Sequence, residues 1–200
     1  MIYPKVLLEL IEYFKKFPGI GDKSAERMAL ALLDINSDDI NSFANAMLEA
    51  KNKLHPCNIC GCLTDNDVCM ICSNEFRRDN LICILEDFKG VFAFEKTGKY
   101  NGKYHVLNGL ISPIDDIGPE DINIASLIDR IKDKDSVEVI IALKPSIEGE
   151  TTTLYIKEIL SKYSNVKVSR LSYGIPMGVD IDYLDELTLL NALNERKNLS

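Results

Sequence analysis

The chain lacks any apolar run near the ~20 residues that a bilayer-spanning helix needs. Its opening residues, Met1-Ile2-Tyr3-Pro4-Lys5, lack the charged-then-apolar pattern of a secretory signal. There is no internal repeat and no low-complexity segment. Together these absences predict a cytoplasmic globular protein. Positive charge is also scarce: 23 Lys and Arg face 31 Asp and Glu, for a net charge of −8. A simple basic nucleic-acid-binding domain is therefore disfavoured. Any nucleic-acid role has to rest on a local basic patch or on oligomerisation.

The sequence does have size and alternating texture. Its 200 residues suffice for one large domain or two small ones. Val6, Leu7, Leu10, Ile11 and Phe14 recur at helical spacing, and Phe17-Pro18-Gly19-Ile20-Gly21 ends that helix. A second helix presents Ala25, Met28, Ala29 and Leu32. A third, capped by Ser37-Asp38-Asp39, presents Ile40, Phe43, Ala44, Met47 and Leu48. Beyond residue 80 the apolar runs 81–85, 104–107, 137–143 and 166–169 read as strands. Helical stretches at 120–131 and 151–163 lie between strands, and 185–193 reads as a terminal helix. Strands alternating with helices predict a parallel α/β sheet.

Six cysteines in a cytosolic, reducing compartment point to metal rather than disulfides. Cys57-Asn58-Ile59-Cys60 and Cys69-Met70-Ile71-Cys72 are two CxxC pairs separated by eight residues. Each turn can aim two sulfurs at one point, and a hairpin can complete the thiolate tetrahedron that zinc prefers. Cys62 offers a second register in place of Cys60, but two matched pairs are the simpler solution. Cys83, within an apolar strand, reads as a small buried hydrophobe. One structural Zn²⁺ per chain is the expectation, held by Cys57, Cys60, Cys69 and Cys72.

Between the first two helices, Gly19 and Gly21 allow a tight turn and close approach of a phosphate. Lys23 and Arg27 follow four residues apart, on one helical face. The pattern resembles the helix-hairpin-helix motif of DNA binders without sequence preference; the alternative is a turn that only packs or contacts protein. Glu86 follows the first strand of the sheet, and Lys144-Pro145-Ser146-Ile147-Glu148-Gly149-Glu150 follows a later one. This resembles the Toprim signature D-x-D-x-E-G-E of topoisomerases and primases. Glu148, Gly149 and Glu150 match, whereas Lys144 and Ser146 replace the two aspartates. Those aspartates would hold Mg²⁺, and an ammonium in their place repels it. No nucleophilic tyrosine motif is evident.

Hairpin, cysteine pairs and altered Toprim signature, in this order, resemble the RecR family of bacterial recombination mediators. The resemblance covers nearly the whole chain, including PGIGDKSAERMA (18–29), VCMICSNEFR (68–77), HVLNGLISPIDDIGPEDI (105–122), PSIEGETTTLYI (145–156) and YGIPMGVDIDYLDELTL (173–189). Lys144 and Val179 depart from the family's usual Asn and Gly. The resemblance implies a multidomain α/β protein. Its parts would be a helical helix-hairpin-helix domain (1–54), a four-cysteine zinc finger (55–78), a Toprim domain (79–172) and a C-terminal helical segment (173–200). It further implies a DNA-repair protein that is not an enzyme and is nucleoid-associated. Such a protein forms dimers that build a tetrameric ring around single- or double-stranded DNA and acts with RecO and RecF to load recombinase at gaps. Gly19, Gly21, Lys23 and Arg27 would contact DNA; Glu86, Glu148 and Glu150 would face partners. The competing readings are a Toprim-type metal-dependent nuclease or nicking factor, and a zinc-dependent scaffold without DNA contact.

Overall fold

The computed structural model describes residues 3–172 and 174–198. Tyr173, where the C-terminal segment is expected to begin, lies outside the described residues. The chain divides into two compact units, Met1–Leu54 and His55–Ser200.

The first unit is helical: α1 (Lys5–Lys15), α2 (Asp22–Ala31) and α3 (Ser37–Lys53). Its small core joins Ile11 and Phe14 of α1 to Ala25 and Ala29 of α2. Alanine on α2 lets the two helices approach closely. Val6 and Met28, expected on the buried faces, are exposed. The cap of α3 is Asn36, not the expected Ser37-Asp38-Asp39. Asn36 is still extended, and its side chain accepts from Asp39 N at 2.8 Å, whereas Ser37 is already helical. The apolar face expected of α3 is correctly spaced, but no residue of this helix is buried. Phe43 and Met47 instead line an open cavity of about 470 Å³ with Leu10, Phe14 and Phe17.

The second unit begins with a two-stranded antiparallel hairpin, β1 (His55–Pro56) and β2 (Leu63–Thr64). It continues as β3 (Arg78–Leu85), α4 (Phe88–Lys96), β4 (Gly102–Val106), α5 (Ala125–Ile131), β5 (Val137–Ile141), α6 (Ile147–Leu160), β6 (Val166–Arg170) and α7 (Glu186–Asn194). The four later strands form one parallel sheet in the order β4-β3-β5-β6. This is the multidomain α/β architecture expected.

Side chains alternate along each strand, and both faces are covered. Ile82, Ile84, Val137, Val139 and Ile141 face Leu127, Ile131, Ile156 and Leu160 of α5 and α6. Cys83, Leu85, Tyr104 and Val106 face Val91 of α4 and the cysteine segment. The cysteine segment thus borrows the sheet's second core. Helix α4, which the apolar pattern did not single out, starts at Asp87, whose carboxylate accepts from Lys89 N and Gly90 N. The helix expected over 120–131 forms only from Ala125. Before it, Asn123 is tied to the end of β4, donating from its backbone N to Leu107 O (2.8 Å) and from its side chain to Val106 O (3.0 Å).

Candidate functional site

Three groups of side chains carry chemistry. The first is the turn between α1 and α2. Gly19 has φ +81°, a left-handed conformation that L side chains rarely adopt, and Gly21 is the extended N-cap of α2. A Cβ at either position would meet no atom within 4 Å, so the backbone there is open to a close ligand. Lys23 and Arg27 are exposed, on the side of α2 away from Ala25 and Ala29. Lys15 bridges the turn, its Nζ lying 2.9 Å from Asp22 Oδ1 and 3.0 Å from Glu12 Oε1. Asp22 puts a negative charge on the first turn of α2, and Lys15 offsets it. Residues 1–54 hold seven basic and eight acidic side chains, so the chain's acidic surplus lies almost wholly in the second unit.

The second group is the cysteine cluster. The sulfurs of Cys57, Cys60, Cys69 and Cys72 all lie within 4.8 Å of one another, and all four residues are buried. Cys60 Sγ and Cys69 Sγ are 3.6 Å apart. A zinc tetrathiolate with bonds of about 2.3 Å has sulfurs about 3.8 Å apart, so the donor set fits that ion. Backbone N–H groups of Cys69 and Cys72 donate to Cys57 Sγ (3.3 Å) and Cys69 Sγ (3.4 Å), an arrangement that favours thiolates. Hydrogen bonds from Cys60 and Cys72 hold the Cys69 thiol well below the ordinary range, while hydrogen bonding to Cys69 and Cys72, together with burial, raises Cys60. Cys62 is also buried but lies outside this group, and burial pushes its thiol up to about 11. Gly61 explains the divergence. It has φ +73°, and a Cβ there would come 2.8 Å from Val106 O. Cys60 O meanwhile accepts from Val106 N at 2.7 Å, which fastens the knuckle to the end of β4.

The third group sits at the carboxyl ends of the strands. Strand β3 lies between β4 and β5, so the connection from β3 runs to one side and the connection from β4 to β5 passes back across it, a reversal of strand order that opens a crevice there. Glu86 follows β3 and Lys144 follows β5. Lys144 Nζ lies 3.1 Å from Glu86 Oε1. Ser146 caps α6: its Oγ accepts from Gly149 N (3.2 Å) and donates to Glu148 Oε2 (2.7 Å), which holds Glu148 below the usual carboxylate range. A Cβ on Gly149 would lie 1.9 Å from Lys144 O, so only glycine lets this loop close against α6. Glu150 pairs with Arg170 of β6 at 3.3 Å, and Arg170 reaches Glu195 beyond α7 at 3.4 Å. The three glutamates therefore gather at one end of the sheet without sharing a ligand position. Sequence reasoning missed Lys15, the Arg170 link and the Lys144–Glu86 pair. The last joins residues 58 apart, for which no local pattern exists.

Helical hairpin, buried four-cysteine cluster and a four-stranded parallel sheet with glutamates at its switch point define a multidomain Toprim protein with a zinc-finger-type segment ahead of the sheet. Comparison with known proteins agrees part by part. Residues 80–172 match the Toprim domain, 7–51 the RecR helix-hairpin-helix, 54–74 the RecR four-cysteine zinc finger domain and 174–197 the RecR C-terminal region. Recombination protein RecR of Staphylococcus haemolyticus (strain JCSC1435) is 47% identical over 199 residues, covering the whole of both chains. Its counterpart from Staphylococcus aureus (strain Mu3 / ATCC 700698) is 46% identical over the same span. The chain belongs to the RecR family of recombination proteins. Among the described residues, no helix is long and apolar enough to cross a membrane.

Proposed function

We propose that this protein is a non-catalytic, DNA-binding mediator of recombinational repair, working in the cytoplasm at the nucleoid. The observation that carries the reading is the open hairpin. Gly19 and Gly21 leave the backbone uncovered, and Lys23 and Arg27 stand exposed beside it. Such a surface neutralises phosphates without reading bases. Two side chains and a helix end make few contacts, so affinity has to come from several subunits engaged at once. A tetrameric ring assembled from dimers provides that repetition. The near-neutral charge of residues 1–54 supports DNA contact by this part of an acidic chain.

The parts divide the work as helix-hairpin-helix (1–54), zinc finger (55–78), Toprim (79–172) and C-terminal segment (173–200). Cys57, Cys60, Cys69 and Cys72 hold one Zn²⁺. When bound, the ion cross-links a segment that has no core of its own. The chain's contribution is to bury the sulfurs against β4 and to supply N–H donors to the thiolates. Glu86, Glu148 and Glu150 form a docking face for basic partner surfaces. RecO and RecF are the partners that the family resemblance implies, and recombinase loading at gaps is the outcome of that assembly. The Lys144–Glu86 pair disfavours the alternative of a metal-dependent nuclease, because the ammonium already occupies the carboxylate that a divalent cation would need. The test is DNA binding by fluorescence anisotropy across a salt series, with sedimentation reporting assembly. A correctly assembled Lys23→Glu/Arg27→Glu protein with wild-type affinity and salt slope would overturn the hairpin as the contact.

A further inference from the structure

The opposite end of the parallel sheet, where its strands begin, carries a charged cavity. Its volume is about 370 Å³, and its lining includes Lys103, Arg130, Lys134 and Asp79, with Cys72 and Ile59 of the cysteine segment beside them. These side chains come from separate elements. Asp79 lies at the start of β3, Lys103 at the start of β4 and Arg130 in α5, with Lys134 just beyond it. Three cations and one carboxylate leave a surplus of two positive charges. That is unusual in a unit that has sixteen basic and twenty-three acidic residues.

The cations are held in place. Lys103 donates to Cys72 O at 2.9 Å and pairs with Asp79; its side chain is only 13% exposed. Arg130 Nη1 donates to Tyr104 O at 2.7 Å and to His105 Nδ1 at 3.1 Å. His105 can accept there because its Nε2 donates to Asn123 O at 2.6 Å, and burial keeps the ring neutral. Among the described residues, Nη2 and Nε of Arg130 have no hydrogen-bond partner. Lys134 Nζ stands 3.5 Å from the second oxygen of Asp79. The Asp79 carboxylate, 63% exposed, thus serves two lysines from the mouth of the cavity. It is the group that an incoming anion would displace.

We propose that this cavity is a phosphate-binding site that receives a phosphodiester of a nucleic-acid strand. The two charged oxygens of a phosphodiester diverge tetrahedrally from phosphorus, so one can meet the ammonium groups while the other meets the unused edge of the guanidinium. A peptide carboxylate also offers two oxygens, but it holds them closer together and in one plane with its carbon, which suits donors converging from separate elements less well. The site uses none of the hairpin's residues, and its nucleic-acid occupant rests on the reading of the protein as a DNA binder.

The test is photocrosslinking of the zinc-loaded, full-length protein to a 4-thiothymidine oligonucleotide at saturating concentration, with crosslinked peptides mapped by mass spectrometry. Crosslinks are expected in peptides around Lys103 and across 130–134. Lys134→Glu should reduce them at least several-fold, and Asp79→Asn, which removes the competing carboxylate, should increase them. Lys23→Glu/Arg27→Glu should remove crosslinks near the hairpin and leave those at the cavity, so failure of one site is separable from failure of the other. Isothermal titration with inorganic phosphate forms the second arm. Phosphate binding that Lys134→Glu abolishes, without crosslinks to the strand, would assign the cavity to a free phosphorylated ligand and overturn the strand as its occupant. No crosslink and no phosphate binding would overturn the site altogether. So would a Lys134→Glu protein that loses zinc while its crosslinks stay unchanged, since the cations would then serve only to balance the thiolates.

Discussion

Lys144 and Glu86 form an ion pair across the switch point of the sheet, with Nζ 3.1 Å from Oε1. The pair is partly solvated, so it adds little stability. Its consequence is chemical. An ammonium tethered to the chain neutralises the carboxylate on which a divalent cation would otherwise assemble. Ser146 donates a hydrogen bond to Glu148, which occupies one of its oxygens and leaves the carboxylate ionised. Among the described residues, Glu86, Glu148 and Glu150 do not come together as a group that could share a metal ion.

It follows that the protein should neither nick nor relax supercoiled plasmid in the presence of Mg²⁺ or Mn²⁺. Turnover that co-purifies with the protein and disappears in Glu86→Ala would refute this.

Reversing charge at the hairpin should weaken DNA binding severely without unfolding the protein, because Lys23 and Arg27 are exposed. On duplex DNA, affinity falls with a log–log salt slope of about −0.9 per neutralised phosphate. Lys23→Glu or Arg27→Glu should flatten that slope by about one unit per lost contact in each subunit. Anisotropy of labelled DNA at several salt concentrations measures it, with little difference expected between sequences.

Removing a ligand from the cysteine cluster should be costly. Structural zinc contributes roughly 10–16 kcal/mol of binding free energy in small finger peptides, as large as the whole typical margin of about 5–15 kcal/mol for a domain. Cys57→Ser should lose the metal and aggregate. Cys62→Ser should retain one zinc per chain by elemental analysis, since its sulfur lies outside the cluster. Loss of zinc in that variant would place Cys62 among the ligands.

Gly149→Ala should destabilise the second unit by about 1–3 kcal/mol, the usual cost of overpacking. The added methyl would fall 1.9 Å from Lys144 O. A lower thermal midpoint together with a displaced Lys144–Glu86 pair is the expected result; an unchanged midpoint would count against the close packing of this loop.

His105 should remain neutral well below the usual histidine range. Burial depresses its pKa to about 4, and Arg130 adds to the effect. The unfolded chain takes up this proton near pH 6.5 and the folded chain does not, so stability from this residue is complete above about 6.5 and declines as pH falls toward 4. The loss is on the order of 3 kcal/mol at most. NMR titration of the imidazole checks it: the ring signals of His105 should not move between pH 7 and pH 5.

Much of this protein is legible in local pattern. Helical spacing marks α1 and α2, apolar runs mark the four parallel strands, and the two CxxC pairs announce a metal cluster. Lys144 and Ser146 stand where the Toprim signature has aspartates, which a reader of the sequence can see directly. These features depend on residues a few positions apart, whose relation the backbone sets by itself. The tertiary structure decided the rest. It left α3 without a buried residue, its Phe43 and Met47 lining an open cavity beside α1 instead of joining the α1–α2 core. It turned Cys62 away from the cluster through the left-handed conformation at Gly61 and the docking of Cys60 on β4. It brought Lys144 to Glu86, Arg170 to Glu150, and Lys103 and Lys134 to Asp79. Each of those pairs bridges separate elements of the α/β unit, whose parallel strands are joined by crossover connections. Such contacts follow from strand order and register, which no short stretch of sequence encodes.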